Sequence, residues 1–229
     1  FVSAGAAPVS DALMTAWKER TGTTLSAGWG MTETNTMGTW SRLKNKQKPL
    51  SEGVPFIGEI KIVDEEGNVA PRGRVGEILF RGLQVSKGYF NKLEETRATF
   101  QQDGWMRTGD AGYIDEDDFL HYADRIKDLI IASGYNIAPT EVERTILQHP
   151  AVKDVAVVGW PDEYRGETVK AFAVIADEFK EKITDQDIIE FCRTKISSFK
   201  VPTTVEFINE LPRNAMGKTL RRVLRDKAR

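Results

Sequence analysis

The chain has 229 residues, of which 32 are Lys or Arg and 34 are Asp or Glu, so its formal net charge is −2. This near balance argues against a general nucleic-acid binder, because no excess of basic residues is present to neutralise phosphates. With 40% hydrophobic residues the chain has the composition of a globular protein with one large domain or two small ones. A single cysteine, Cys192, cannot form an internal disulfide and fits a reducing compartment, and neither a membrane span nor a secretory signal is apparent, so we expect a cytoplasmic protein.

The N-terminal segment is predicted to form two strands separated by a helix. "FVSAG" has the character of a buried strand, "SDALMTAWKERTG" that of a helix ending at Gly22, and "TTLSAGW" that of a second strand. The run "SAGAAP" at 3–8 carries no bulky side chain for five residues. Such a run lets a flat ligand approach the backbone, and the alternative is close packing between elements.

"GWGMTET" at 28–34 follows the second strand and brings together an aromatic ring, hydroxyls and a carboxylate. Trp29 offers a flat face for a base, Thr32 offers a hydroxyl, and Glu33 is a hard oxygen ligand suited to Mg²⁺ on a polyphosphate. The alternative is a β-turn with a core tryptophan and a capping threonine.

The middle of the chain has a period of two, which predicts antiparallel strands. "IGEIKIVD" and "RVGEILFRG" flank the turn residues "EEGN", and a short helix around Glu94–Phe100 precedes a second hairpin, "GYIDEDDFLHYAD". Asp110 and Arg125 lie just outside this second hairpin and are therefore predicted to be neighbours in space. A carboxylate beside a guanidinium is suited to a vicinal diol such as a ribose, although a plain ion pair is the commoner arrangement.

Beyond Arg125 the pattern changes to alternating strands and helices, which predicts a small α+β unit. The strands are "DLIIAS", "VKDVAVVGW", "TVKAFAVIA" and "TVEFI", and the helices are "APTEVERTILQHP", with Thr140 as a cap, and "TDQDIIEFCRTKI", with Cys192 in its core face. We place the boundary in the charged segment Asp124–Asp128, so that residues 1–124 and 125–229 form separate domains.

The segment "LPRNAMGKTLRR" at 211–222 contains Gly217-Lys218-Thr219, which resembles the end of a phosphate-binding P-loop. Pro212 stands where that pattern requires its first glycine, and proline has no N–H to offer a phosphate. We therefore expect no nest of backbone N–H groups here, and Thr219 is predicted to start the final helix. A solvated lysine on a surface turn is the simpler interpretation of Lys218, and the basic tail from Arg213 to Arg229 is expected to be a solvated helix face.

Five motifs, in this order, resemble the later motifs of the adenylate-forming enzymes, which include acyl-CoA synthetases, firefly-luciferase-like proteins and peptide-synthetase adenylation domains. They are "SAGAAP", "GWGMTET", "GWMRTGD", "YADRIKDLIIASGYNIAPTEVE" and "LPRNAMGKTLRR". The resemblance covers nearly the whole chain, and the fourth motif is most similar to the fatty-acyl-CoA synthetase branch. It implies a mixed α+β fold: the end of a large α/β domain with an antiparallel β-barrel-like subdomain, followed by a small α+β C-terminal lid domain.

The resemblance also implies a role for each matching position. These are Gly5, Ala6 and Ala7 in the adenine and acyl pocket, Trp29 (usually tyrosine) and Gly30 beside the adenine, Thr32 at a phosphate, Glu33 at Mg²⁺, Asp110 and Arg125 at the ribose, Lys127 as the hinge between the domains, Ser133, Gly134 and Tyr135 at the pantetheine arm of coenzyme A, and Lys218 as the adenylation lysine. Some relatives carry a lysine at the position of Ile131, which this chain lacks.

The implied reaction joins a fatty acid to coenzyme A at the expense of ATP, through an acyl-adenylate and with Mg²⁺. The alternatives are adenylation of an aryl or other acid, transfer to a carrier-protein phosphopantetheine, or a folded fragment without catalytic activity. The family's glycine-, serine- and threonine-rich phosphate loop matches no segment of this sequence. We therefore expect the chain to be the C-terminal part of a longer enzyme and to be inactive alone, and its oligomeric state is left open.

Overall fold

The computed structural model describes residues 2–5, 9, 11–41, 48, 51–215 and 217–228. The chain divides into two compact units, Phe1–Ile126 and Lys127–Arg229. In the first unit the strands and helices are β1 (Val2–Ala4), α1 (Asp11–Thr21), β2 (Leu25–Ala27), β3 (Thr39–Trp40), β4 (Val54–Pro55), β5 (Glu59–Val63), β6 (Gly76–Arg81), α2 (Leu93–Thr99), β7 (Met106–Ile114) and β8 (Leu120–Arg125). In the second unit they are β9 (Ile130–Ala132), β10 (Tyr135–Ile137), α3 (Pro139–Ile146), β11 (Val152–Asp162), β12 (Gly166–Ile175), α4 (Asp185–Arg193), β13 (Thr204–Phe207) and α5 (Arg221–Arg225).

The first unit begins with the predicted strand, helix and strand. β1 and β2 pair in parallel, with Val2 opposite Leu25, and α1 contributes Trp17 to the small core below them. Gly22 ends the helix in the left-handed conformation, at φ +67°, and its N–H donates to the carbonyl oxygen of Lys18 at 2.8 Å. This arrangement satisfies a carbonyl at the helix end and is easily adopted by glycine, so the predicted stop at Gly22 is confirmed.

The middle of the first unit is a four-stranded antiparallel sheet in the order β5-β6-β7-β8. Both predicted hairpins are therefore confirmed. Apolar side chains that alternate along the strands form one core, made of Trp29, Ile62, Ile78, Phe80, Met106 and Leu120. Within the part of the chain that the structure describes, this sheet is open, and no closed barrel is formed.

The second unit is built on a five-stranded sheet in the order β10-β9-β12-β11, with β13 pairing in parallel with β12. Successive residues of β11 pack on opposite faces: Val155 and Val157 face the core formed with α3 and α4, whereas Ala156 and Val158 face the core formed with α5. Because both faces are covered, the strand is apolar throughout its central part. The predicted α+β character of this part of the chain is confirmed.

Two predicted details of the second unit are wrong. Helix α3 begins at Pro139 with Ala138 as its N-cap, so Thr140 lies inside the first turn and is not the cap. Proline suits the first helical position because the N–H that it lacks would have no partner within the helix. Likewise Thr219 does not start the final helix, since it pairs with Arg213 in a β-bridge and α5 begins at Arg221.

The basic tail is not the solvated face that its composition suggested. Three of its arginines form ion pairs inside the second unit: Arg213 with Asp154 at 2.5 Å, Arg221 with Glu143 at 2.8 Å, and Arg225 with Asp128 at 2.7 Å. Cys192 is fully buried beside α3, and burial raises the pKa of its thiol to about 11, as befits a small core residue. None of the described helices combines the length and the apolar character needed to cross a membrane.

Candidate nucleotide site

Asp110 and Arg125 lie opposite each other on β7 and β8. The Nε atom of Arg125 is 2.9 Å from Oδ1 of Asp110. The predicted proximity of these two residues is thus confirmed. Only 3% of Asp110 is exposed, whereas 37% of the Arg125 side chain is, so the carboxylate is buried and the guanidinium reaches the surface. A buried carboxylate needs such a partner, because an unpaired buried charge is costly.

Trp29 supplies a hydrogen bond to the same carboxylate. Its indole N–H donates to Oδ2 of Asp110 at 2.8 Å, and the ring is 6% exposed and packs against Phe80 with 6.1 Å between ring centroids. The interpretation of Trp29 as a core residue is therefore confirmed, and so is a capping threonine, since Thr34 Oγ1 accepts from the Met31 N–H at 3.0 Å. The contact with Asp110 is an additional property that the sequence analysis missed.

Next to Trp29 lies a cavity of about 430 Å³ that is lined mainly by small residues and rings. Four predicted site residues line it: Gly5, Trp29, Gly30 and Thr32. Gly30 is required by the local fold, because a Cβ at this position would lie 2.0 Å from the carbonyl oxygen of Thr36, whereas a Cβ on Gly5 would meet its nearest neighbour at 3.7 Å. Ala6 and Ala7 lie outside the described residues.

Glu33 sits in a short 3₁₀ turn, Thr32–Thr34, and its carboxylate has a fixed partner. The hydroxyl of Tyr89 donates to Oε1 of Glu33 at 2.6 Å. Burial raises the pKa of Tyr89, and the hydrogen bond to Glu33 raises it further, so the phenol remains a donor at neutral pH. Sequence analysis missed Tyr89, because nothing in the spacing between two residues so far apart in the chain points to this contact.

A second cavity of about 430 Å³ carries charges of both signs, and Met31 lines both cavities. Its charged lining consists of Glu33, Glu77, Arg107 and Arg125. Glu77 is already paired with Arg107, whose Nε donates to its Oε2 at 2.9 Å. Of the two carboxylates in this cavity, Glu33 is therefore the one available to a cation. Among the described residues no cluster of three or more ligating side chains occurs. A single carboxylate fits Mg²⁺, which proteins commonly bind through one or two carboxylates while substrate phosphates and water complete the shell.

In the second unit, Ser133 and Gly134 form the turn between β9 and β10 with φ values of +51° and +81°. The Ser133 N–H donates to the carbonyl oxygen of Arg165 at 2.9 Å, which anchors the turn. Tyr135 is 53% exposed and stacks on Phe199, with 4.5 Å between ring centroids. The turn therefore presents a flat aromatic surface, and its contact with coenzyme A stays a prediction.

Lys218 lies on a compact loop that is held by hydrogen bonds within the loop. The N–H of Asn214 donates to the carbonyl oxygen of Lys218, the N–H of Gly217 to the carbonyl oxygen of Asn214, and the N–H of Lys218 to Oδ1 of Asn214, each at 2.9 Å. These amides are therefore unavailable to a phosphate, which confirms the absence of a P-loop nest at these three positions. Lys218 itself is exposed, and its ammonium group has no hydrogen bond or ion pair with any described residue. Lys127 is the first residue of the second unit, and its carbonyl oxygen accepts from Arg225 at 3.3 Å.

The structure thus sorts the predicted residues into two groups. Gly5, Trp29, Gly30, Thr32, Glu33, Asp110 and Arg125 belong to the first unit, where they line two neighbouring cavities or contact a residue that does. Lys127, the turn at 133–135 and Lys218 belong to the second unit, at separate places on it.

Comparison with known proteins gives a consistent result. The family model for "AMP-binding enzyme" matches residues 1–90, and that for "AMP-binding enzyme C-terminal domain" matches residues 141–218. A long-chain-fatty-acid–CoA ligase of Bacillus subtilis (strain 168) is 45% identical over 206 residues, which cover 89% of this chain and 36% of that protein. A 2-succinylbenzoate–CoA ligase of Bacillus cereus (strain ATCC 10987 / NRS 248) is 43% identical over 198 residues, covering 86% of this chain and 40% of that protein.

The fold is similar to solved structures as well. The crystal structure of ATP-bound MatB from Rhodopseudomonas palustris superimposes with a TM-score of 0.90 at 34% identity, covering 98% of this chain and 44% of that one. The chain spans less than half the length of these relatives. With one family model on each unit and relatives of this kind matching along nearly the whole sequence, the resemblance carried by the five motifs is confirmed, and the chain belongs to the adenylate-forming family of AMP-binding enzymes.

Proposed function

We propose that the intact protein containing this chain is an ATP-dependent, AMP-forming ligase that joins a carboxylic acid to the thiol of coenzyme A. The observation that carries the proposal is the buried carboxylate of Asp110, which is held between the indole of Trp29 and the guanidinium of Arg125 beside the two cavities. A carboxylate held by a hydrogen bond on one oxygen and an ion pair on the other retains lone pairs for the two hydroxyls of a ribose.

The reaction has two steps. An oxygen of the substrate carboxylate attacks the α-phosphorus of ATP, a carbon–oxygen–phosphorus bridge forms, and pyrophosphate leaves with the electrons of the broken phosphoanhydride bond. The sulfur of coenzyme A, having lost its proton, then attacks the acyl carbon, and AMP leaves. Since negative charge gathers around the phosphorus in the first step, catalysis depends mainly on positioning and on nearby positive charge.

In this proposal the first unit binds the nucleotide. Asp110 and Arg125 hold the ribose, the segment from Gly5 with Ala6 and Ala7, together with Trp29 and Gly30, lies against the adenine and the acyl group, and the Thr32 hydroxyl contacts a phosphate. Glu33 would hold Mg²⁺, which when bound neutralises charge on the polyphosphate. The hydrogen bond from Tyr89 supports this role, because it fixes one oxygen of the Glu33 carboxylate and leaves the other for the cation.

The second unit supplies Lys218 and the surface for coenzyme A. The Lys218 ammonium, exposed on a loop braced by its own hydrogen bonds, is proposed to stabilise the charge at the α-phosphorus. A charge pair at contact distance is worth about 4 kcal/mol at an effective dielectric constant near 20. Losing it could therefore slow the step by roughly a thousandfold. We assign Ser133, Gly134 and Tyr135 to the pantetheine arm and Lys127, the first residue of the second unit, to the hinge between the two units.

A fatty acid is the proposed substrate. The similarity to the long-chain-fatty-acid–CoA ligase of Bacillus subtilis supports it, and the motif around residues 122–143 agrees. An aryl acid is the second candidate, because the 2-succinylbenzoate–CoA ligase of Bacillus cereus is similar to nearly the same degree. The single buried cysteine fits a reducing compartment such as the cytoplasm.

The overall proposal is tested by pyrophosphate release from the intact protein with ATP, Mg²⁺ and a panel of fatty and aryl acids, followed by mass spectrometry of the products with coenzyme A present. We expect release that requires ATP and an acid, with an acyl-CoA as the product and a fatty acid as the best substrate. Release without an acid, or a product other than an acyl-CoA thioester, would contradict the proposal. If an aryl acid is the best substrate, the proposed fatty-acid substrate is wrong, but the proposed class of reaction stands.

The role of Lys218 has its own test. Lys218→Ala should lose acyl-adenylate formation by roughly a thousandfold while largely keeping thioester formation from supplied acyl-AMP. The control is Lys182→Ala, an exposed lysine of the same unit, which should leave both steps unchanged. Equal loss of both half-reactions in Lys218→Ala would reject the assigned role.

A further inference from the structure

Strand β7 departs from its regular register beside the proposed ribose site. Glu77 of β6 pairs with Ala111, and Leu79 pairs with Arg107. Strand β7 therefore places Thr108, Gly109 and Asp110 where β6 has Ile78 alone. Extra residues in one strand form a bulge, which bends the strand and changes the direction of a side chain. The residue whose direction is set here is Asp110.

Side chains hold this bulge in place of the missing ladder bonds. The Thr108 hydroxyl donates to the carbonyl oxygen of Ile78 at 2.6 Å, and the same oxygen, Oγ1, accepts from the Asp110 N–H at 3.1 Å. Gly109, at φ +66°, lies in the left-handed region that favours glycine. Its N–H group has lost its strand partner and needs another acceptor.

Glu77 provides that acceptor from the neighbouring strand. Its Oε1 accepts from the Gly109 N–H at 3.3 Å, and its Oε2 accepts from Arg107 Nε at 2.9 Å. The residue is only 9% exposed, so the carboxylate is taken out of water to make these two contacts. One side chain thereby ties together the residue before Thr108 and the residue before Asp110.

We infer that Glu77 is a positioning residue of the nucleotide site, which acts on the ribose through the bulge at 108–110 and the Asp110 carboxylate. This inference rests on the proposed role of Asp110 and deepens it. Without the Glu77 carboxylate, the Gly109 N–H and the Arg107 guanidinium would both lose their acceptor. The bulge would then relax, and Asp110 would no longer be fixed between Trp29 and Arg125.

The same sheet offers a matched control. Glu59 on β5 pairs with Arg81 on β6 directly opposite, and Arg81 is 2.9 Å from Oε2 of Glu59. This is again a glutamate–arginine pair between adjacent strands, but 63% of the Glu59 side chain is exposed and no bulge is attached to it. A general effect of removing a cross-strand ion pair should appear in both variants, and an effect on the ribose only at Glu77.

The test measures dissociation constants of AMP and of 2′,3′-dideoxy-AMP by calorimetry, in the intact protein and in its Glu77→Gln and Glu59→Gln variants. The wild type should prefer AMP, because only AMP has the two hydroxyls. The amide of Glu77→Gln has one acceptor oxygen for the two donors, the Gly109 N–H and the Arg107 guanidinium, and turns an NH₂ group towards the other donor. AMP binding should therefore weaken by about tenfold, which corresponds to one displaced hydrogen bond to a charged group, and dideoxy-AMP binding should be unchanged. Glu59→Gln should behave as the wild type.

Glu77→Asp keeps the inference testable if Glu77→Gln does not fold. The shorter aspartate keeps its charge, and the flexible Arg107 side chain can move to remain paired with it, whereas the backbone N–H of Gly109 cannot move. The Glu77→Asp variant should therefore lose the preference for AMP as well.

Each outcome has a separate meaning. Equal weakening of both nucleotides, or a preserved preference for AMP in the folded variants, would overturn the role of Glu77. A wild type that binds nucleotide without preferring AMP would instead overturn the proposed ribose site and this inference with it.

Discussion

The indole N–H of Trp29 donates to Oδ2 of Asp110 across 2.8 Å, and both residues are almost completely buried. The contact joins the segment after β2 to β7, an inner strand of the four-stranded sheet. Since Arg125 forms an ion pair with the other carboxylate oxygen, the hydrogen bond and the ion pair together fix the direction of the carboxylate before any nucleotide binds. A site fixed in advance loses less entropy on binding, which favours affinity.

Trp29→Phe should weaken AMP binding by about tenfold, since it keeps an aromatic ring and removes the N–H that holds a charged acceptor. The unfolding free energy should fall by about 1–2 kcal/mol, because Asp110 loses one buried partner. Calorimetric titration with AMP and thermal unfolding measure the two effects.

Trp17→Phe is the control for Trp29→Phe. Its indole, on the half-buried Trp17 of α1, donates to the neutral hydroxyl of Thr23 at 3.1 Å, so the same chemical change is made away from Asp110. It should leave AMP binding unchanged. Unaltered AMP affinity in Trp29→Phe would show that the contact does not contribute to the nucleotide site.

Sequence analysis predicted contacts that depend on local geometry and missed those that depend on packing. Asp110 and Arg125 flank one hairpin, so their proximity follows from the turn between them. Trp29 and Asp110 are 81 residues apart, and Glu33 and Tyr89 are 56 apart. Periodicity shows which side of a strand is buried, but it does not show which distant side chain is met there.

The same distinction explains the errors in the fold. Gly22 ends α1 by its own backbone conformation and was predicted correctly. Thr140 and Thr219 were assigned by residue preference, but Pro139 starts the helix earlier, and the Arg213 bridge retains Thr219 in a loop. The bulge that Glu77 braces was also missed, since an irregular register leaves no periodic pattern.

Gly30→Ala should destabilise the protein by about 2–3 kcal/mol, because the new Cβ must displace backbone and not a flexible side chain. That Cβ would lie 2.0 Å from the carbonyl oxygen of Thr36. Thr36 is itself at φ +75°, an uncommon conformation for a β-branched residue, so this part of the turn has little freedom to relax. Chemical denaturation measures the change.

Gly5→Ala serves as the comparison for Gly30→Ala, since both glycines line the same cavity. The nearest atom to a Cβ on Gly5 is 3.7 Å away, which is an ordinary contact distance. Its stability should change by less than about 0.5 kcal/mol, as for a substitution without a clash. If Gly5→Ala and Gly30→Ala lowered the unfolding free energy equally, the predicted clash at Gly30 would not be the cause of the destabilisation.

Tyr89→Phe should lower the rate of pyrophosphate release by about three- to tenfold, the loss expected for one hydrogen bond, and should raise the Mg²⁺ concentration needed for half-maximal rate. The ring would still pack on Phe100, at 5.5 Å between centroids, so stability should change little. Because the pKa of Tyr89 is raised, the phenol stays protonated at neutral and mildly basic pH. The ratio of the wild-type rate to the Tyr89→Phe rate should therefore be constant from about pH 6 to about pH 9.

Tyr164→Phe is the control for Tyr89→Phe, because Tyr164 is 93% exposed and should not affect the rate. A Tyr89→Phe rate that falls without any change in the Mg²⁺ requirement would separate Tyr89 from the proposed cation site at Glu33.

Asp115 should make the stability of the first unit sensitive to acid. Burial by itself favours the neutral carboxyl, but hydrogen bonds from Lys48, His121 and the N–H groups of Phe119 and Asp117 outweigh it and hold the pKa of Asp115 well below its usual range. Since the folded pKa is lower than the unfolded value of about 3.9, the ionised form stabilises the fold. This contribution is present in full above the unfolded pKa and is lost as the pH falls towards the folded pKa.

Asp115→Asn should therefore lower the unfolding free energy at neutral pH and flatten its decline between about pH 5 and about pH 2. Urea denaturation across that range measures both effects. Asp118→Asn is the control, because this aspartate forms its ion pair with Arg72 at an exposed position, where such pairs contribute little. Asparagine also tolerates the φ of +67° found at Asp118, so the turn is kept. If the Asp115→Asn profile kept the steepness of the wild type, the acid sensitivity would arise from other carboxylates, and the hydrogen bonds around Asp115 would not control it.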